Sequence, residues 1–212
     1  MEISIIILCL ILCAFFSGME IAFISSNKIY LEIEKKQDNF ISKILTKLTE
    51  QPSKFIVAML IGNNIALVVY GFFMGDLLMR WMDSFGYHFL GLVDLLVQTV
   101  LSTFIVLITA EFLPKVFFQI YANSLLKFFA LPAYFFYKLF YFISTFFIWI
   151  SDFFLKKFFK TQGDQVQLYF SKVELGNYIT EQMSTVEDNE EVDSEIQIFQ
   201  NALEFSSVKA RD

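Results

Sequence analysis

Three apolar stretches, residues 3–26, 55–75 and 89–113, decide what this chain can fold into. The first carries one charge, Glu20, the second none, and the third only Asp94 and Glu111, with His88 just outside it. Each is about as long as the roughly 20 residues that a helix needs to cross the hydrocarbon of a bilayer. There, every backbone N–H and C=O has to be satisfied within the segment, so isolated stretches must be helical. Composition agrees, since 18% of the 212 residues are charged where a soluble domain carries about a quarter. The fold class expected is all-α integral membrane, with three transmembrane helices, interfacial juxtamembrane belt helices and a cytoplasmic acidic helical bundle. Met1 and Glu2 offer no basic region ahead of the first stretch, which therefore reads as a retained membrane helix rather than a cleaved leader.

The segments between these stretches orient them. Residues 27–54, NKIYLEIEKKQDNFISKILTKLTEQPSK, hold six lysines, and an i, i+3, i+4 apolar pattern over residues 29–48 predicts one amphipathic surface helix closed by Pro52. The excess of lysine marks that side as cytoplasmic. The opposite loop, DLLMRWMDSFGYHFLGLVD, has three acids, one arginine and the interfacial aromatics Trp81 and Tyr87, so it faces out. The expected placement is a bacterial inner (plasma) membrane, N-terminus outside and C-terminus cytoplasmic.

Residues 116–159 hold 14 of the 28 phenylalanines and are greasy enough to span. A fourth crossing would send Lys156, Lys157, Lys160 and everything after them outside. Lys127, Lys138 and Pro132 favour an interfacial helix pair instead. Residues 163–212 carry 11 acids and three bases, a net −8 that repels phosphate and argues against a nucleic-acid partner. Helical patterning appears there in VELGNYITEQM and SEIQIFQNALEF. Two regions follow: residues 1–160, a transmembrane domain with juxtamembrane helices, and residues 161–212, a cytoplasmic acidic helical segment.

Polar residues inside spans need a partner or a cavity, and each span has one such cluster: FFSGME, IGNNIA and ITAEFLPK. Ser17 lies eleven residues before Lys28 and Asn63 nine after Lys54, which puts both roughly 14 to 16 Å from the lysine-rich side. Glu111 lies four residues before Lys115, and Pro114 between them withholds a backbone donor and distorts the preceding turn. A hydroxyl, two amides, a carboxylate and carbonyls freed near Gly18 or Pro114 form an all-oxygen set, which suits a hard cation such as Mg²⁺. The competing readings are helix packing for Ser17-Gly18 and for Gly71 with Gly75, and interhelical hydrogen bonding for Asn63-Asn64. Glu20 rivals Glu111 or pairs with Lys28 or Lys115. Cys9 and Cys13, four apart without His or acidic companions, read as packing residues rather than metal ligands.

FSGMEIAF, the lysine-rich stretch, LIGNNIA, AEFLPK, the aromatic region and an acidic segment ending in VKARD together resemble the transmembrane (DUF21) domain of the CNNM/CorC family of magnesium transporters. The likeness covers nearly the whole chain in order. It implies a homodimer with three spanning helices per subunit, followed in the family by a pair of CBS domains that this sequence does not contain, so ATP enters only through those absent domains. It also implies Mg²⁺ export, with Na⁺ coupling proposed. Carried over, the ion site is Ser17, Asn63, Asn64 and Glu111, with backbone carbonyls near Gly18 and Ala110. Ala110 stands where the family has glycine. The leading expectation is a dimeric Mg²⁺ transport domain in contact with membrane lipid, not an enzyme, moving by helix tilting about Gly18, Gly62 and Pro114. The rival is a non-transporting scaffold or adaptor whose tail recruits partners. An intramembrane hydrolase lacks any Ser/His, Asp/Asp or zinc-ligand constellation.

Overall fold

The computed structural model describes residues 2–37, 39–84, 86, 91–155 and 157. The expected acidic helical segment lies outside the described residues, as do His88 and Tyr87. All regular structure among the described residues is helical.

The first apolar stretch is α1 (Glu2–Ser25). The second is α4 (Pro52–Ser84), longer than the sequence pattern because it continues through Asp76, Arg80 and Trp81 of the lysine-poor loop. At the lysine-poor end, Arg80 hydrogen-bonds Glu2 of α1 and, at 2.8 Å, Asp76 one turn back, so the antiparallel pair is tied by charge there. Tyr70 donates to the carbonyl of Ser102 at 3.0 Å, binding α4 to α5 (Gly91–Val106).

The lysine-rich stretch forms two helices where one was expected, α2 (Lys28–Lys36) and α3 (Phe40–Glu50). The break has a local cause. Asn39 leaves the helical conformation to cap α3, its Oδ1 accepting from Ser42 N at 2.7 Å, while Ser42 Oγ donates to the Lys35 carbonyl at 2.6 Å and folds α3 back on α2. Asn27 caps α2 in the same way and donates its own N–H to Asn123 Oδ1 at 2.9 Å. Pro52 both ends this stretch and opens α4, where its missing N–H costs nothing.

The third span runs over residues 91–120, seven residues beyond the expected end at 113. Pro114 does not terminate it. The preceding residues, Leu107–Phe112, adopt a π-helical turn, and α6 (Leu113–Ile120) continues with Pro114 in its first turn. The wider turn absorbs the proline that an α-helical interior would not accommodate without a kink.

Beyond Ile120 the aromatic region breaks into α7 (Ala122–Phe128), α8 (Ala130–Leu139) and α9 (Tyr141–Phe154), with α8 and α9 bent by 69°. Three helices are each long and apolar enough to cross, and the bent pair α8 and α9 is so only when taken together as one broken span. α8 packs on α3 and α9 on α4.

α1 is the central element, touching α4, the π-turn, α6 and α7. Two apolar clusters surround it. One, at the lysine-poor end, contains Ile6, Cys9, Cys13, Ala66, Tyr70 and Ala110; the other, towards the lysine-rich end, contains Phe16, Met19, Phe55, Met59, Phe118 and Leu126. Cys9 and Cys13 are thus buried packing thiols, as expected. The outer faces of α4 and α5 stay exposed and apolar, with Phe72, Leu92, Leu96 and Val100 outward, as hydrocarbon-facing surfaces are. Of the GxxxG pair, Gly75 meets the Gln98 side chain of α5 closely, while Gly71 faces open space.

Candidate metal centre

The seam between the two clusters is polar. Cys13 and Ala66 lie in the cluster on one side, with Ala110 of the π-turn between the helices; Ser17 follows Cys13 by one turn of α1, and Asn63 precedes Ala66 by about one turn of α4. The level is fixed independently by two close approaches. The Phe16 ring lies so near Gly62 that an added Cβ would sit 2.6 Å from it, and the Phe118 ring lies equally near Gly18. Glycine at both positions lets an aromatic ring reach the helix backbone. Both rings were missed in the sequence. FFSG did place Phe16 beside Ser17, but nothing showed which face of α6 carries Phe118.

At this seam Ser17 is fully buried and Asn63 is 8% exposed, and neither Ser17 Oγ nor Asn63 Oδ1 has a hydrogen-bond partner. Buried polar atoms are paired in the great majority of cases. The exception is sharper for Ser17, because a helical hydroxyl in an apolar setting ordinarily returns to the carbonyl one turn back. Thr49, Thr99, Thr109, Ser144 and Thr145 all do so here, at 2.7 to 2.9 Å. Ser17 does not. Asn64, next in sequence to Asn63, is exposed on another face of α4 and turns its amide to the Leu60 carbonyl at 2.8 Å, so the structure does not bring it to the seam.

The third contribution comes from the π-turn. Ala110 is fully buried against the cluster of Cys13 and Ala66, so its methyl group is accommodated where the resemblance has glycine. Pro114 leaves one carbonyl of this turn without its backbone donor, an acceptor of the kind that broken helices offer to ions. Glu111 is partly buried, lies within the electrostatic reach of Cys13 on α1, and has Lys115 Nζ 4.0 Å from its carboxylate. Glu20, three residues past Ser17, feels both Glu111 and Lys115. The structure therefore brings Ser17, Asn63, Ala110 and the Glu111 turn around one segment of α1, with Gly18 beside them, and sets Glu20 as a second carboxylate on the lysine-rich side. No group of three His, Cys, Asp or Glu side chains suited to a metal occurs among the described residues. A cation here would be held by hydroxyl, amide and carbonyl oxygens with carboxylate charge from Glu111, which is hard-ion chemistry.

The fold defines an α-helical integral membrane protein, with buried, unpartnered side-chain oxygens on two of its spans. Residues 4–191 match the family model described as the CNNM "Cyclin M transmembrane N-terminal domain", and the chain belongs to that family. It is 31% identical over 120 residues to a UPF0053 protein of Haemophilus influenzae, covering 57% of this chain and 27% of that one. It is also 31% identical over 111 residues to the UPF0053 inner membrane protein YfjD of Escherichia coli, covering 52% and 24%. The chain spans about a quarter of the length of these curated relatives.

Proposed function

We propose that this chain is the membrane domain of a Mg²⁺ transporter that exports the ion, with Na⁺ as the coupling ion, working as a homodimer in a bacterial inner membrane with its N-terminus outside. The observation that carries the reading is that two buried oxygens, Ser17 Oγ on α1 and Asn63 Oδ1 on α4, are left without partners. A non-transporting scaffold gives those atoms nothing to do, whereas an arriving cation supplies the missing partner. Mg²⁺ surrenders its water reluctantly, so the charge of Glu111 has to offset that loss, and the ion displaces Lys115 as the counter-charge of that carboxylate. The Phe16 and Phe118 rings close the seam towards the lysine-rich end, and their withdrawal from Gly62 and Gly18 opens it.

The test is Mg²⁺ flux in proteoliposomes under an imposed gradient, with and without opposing Na⁺. Wild-type protein should carry Mg²⁺, and Glu111→Gln and Asn63→Ala should each abolish both flux and Mg²⁺-dependent stabilisation in detergent. Flux and stabilisation unchanged in both variants would refute the site.

A further inference from the structure

A second polar site lies in the belt. The C-terminal end of α3 and the bent joint of α8 with α9 border an open recess of about 470 Å³, lined by Lys47, Glu50, Tyr134, Tyr137, Lys138 and Tyr141 among others. Lys54, at the start of α4, adjoins it with its ammonium 4.2 Å from the centroid of the Tyr141 ring. Lys47 stands over the Tyr134 ring and reaches its hydroxyl at 3.4 Å. Aromatic faces thus hold two ammonium groups at the recess.

Lys47, Lys54 and Lys138 have no carboxylate within ion-pair distance among the described residues. Lys35, Lys115 and Lys127 do, in Glu32, Glu111 and Glu34. Lys54 is only 7% exposed, an expensive place for a charge that rests over an aromatic ring. Against Glu50, the lining Lys47 and Lys138 leave the recess one positive charge in excess, and Lys54 beside it adds a second. Its level is that of a headgroup, since Gln51 and Lys54 flank Pro52, where the second span begins. On the outer side Phe142, 83% exposed, and Leu139 present bare apolar surface next to the charges.

We propose that this recess binds one anionic phospholipid, its phosphate held by Lys47, Lys138 and Lys54 with the tyrosine hydroxyls donating, and its acyl chains lying along Phe142 and Leu139. Juxtamembrane lysines draw anionic headgroups in general; the concave recess and the aromatic seating of the ammonium groups make this a discrete site. Soluble phosphate shares the headgroup chemistry but gains nothing from Phe142 and Leu139.

Native mass spectrometry of the detergent-solubilised chain, titrated with phosphatidylglycerol, phosphatidylcholine or inorganic phosphate, tests it. Wild-type protein should retain one phosphatidylglycerol in preference to phosphatidylcholine, and excess inorganic phosphate should not displace it. The double variant Lys47→Gln/Lys138→Gln should bind phosphatidylglycerol about tenfold or more weakly, and Lys47→Arg/Lys138→Arg should restore binding. Equal retention of the two lipids, displacement by inorganic phosphate, or wild-type affinity in the glutamine variant would each overturn the proposal. The lipid comparison on wild-type protein stands whatever the variants do to folding.

Discussion

Replacing Ser17 by alanine should make the protein more stable in the absence of divalent cations and deaf to Mg²⁺. The hydroxyl is fully buried, forms no hydrogen bond, and omits the return to the preceding turn that six other hydroxyls make among the described residues. A buried donor or acceptor left unsatisfied costs about 1–3 kcal/mol, and alanine is the better helix former by a further ~0.5 kcal/mol. The cavity left by one oxygen atom is small and subtracts a little. The net expectation is a gain of about 1–3 kcal/mol, and about 2–4 °C in unfolding temperature for each kcal/mol in a chain of this size. Thermal unfolding in detergent with EDTA, and again with a Mg²⁺ titration, reads both halves. Wild-type protein should be the less stable of the two in EDTA and should overtake the variant as Mg²⁺ rises. A variant less stable than wild type in EDTA would mean that the hydroxyl already serves the fold, and the argument from the orphaned oxygens would fail.

Three further outcomes follow from the same packing. Gly62→Ala would place a methyl group 2.6 Å from the Phe16 ring, and overpacking of about 1–3 kcal/mol should outweigh the ~1 kcal/mol gained by removing glycine from a helix; Gly71→Ala, with open space around it, should be neutral or stabilising by unfolding temperature. Asn64→Ala should leave the Mg²⁺ response in place where Asn63→Ala removes it, because only Asn63 faces the seam. The Glu34 carboxylate, 2.6 Å from Lys127 Nζ, holds the Lys127 ammonium above its ordinary range, chiefly through their hydrogen bond. The stabilisation is therefore fully present below the unfolded lysine value of about 10.4 and lost as pH rises through the higher folded value. With Lys127 37% exposed and solvent-screened, the effect is about 1 kcal/mol or less, and a pH series on Lys127→Met should lack that alkaline loss.

The spans were legible because an apolar run of about twenty residues with at most two charges has one stable solution in hydrocarbon. The π-turn was half legible. Pro114 announced a distorted turn around Glu111, but sequence gave no sign that the wider turn would let the third span run on to Ile120. The division of the lysine-rich stretch at Asn39 turned on a cap and on the Ser42 bond to Lys35, a tertiary fold-back that an amphipathic pattern running through the break conceals. In the site, adjacency misled. Neighbouring residues on a helix point about 100° apart, so Asn63 and Asn64 could not both face α1, and only the packing of Ala66 and Gly62 shows which does. The unpaired state of Ser17 was beyond reach, since the same serine elsewhere in these helices bonds its own backbone.

The account's central claim is that oxygens from three separate spans hold one cation. A cryo-EM map of the protein with Mg²⁺ tests it most directly. The predicted result is density about 2.1 Å from Ser17 Oγ, Asn63 Oδ1 and a carbonyl or carboxylate oxygen of the Glu111 turn; a Glu111 side chain turned to lipid, with Ser17 and Asn63 still unpartnered, would contradict it.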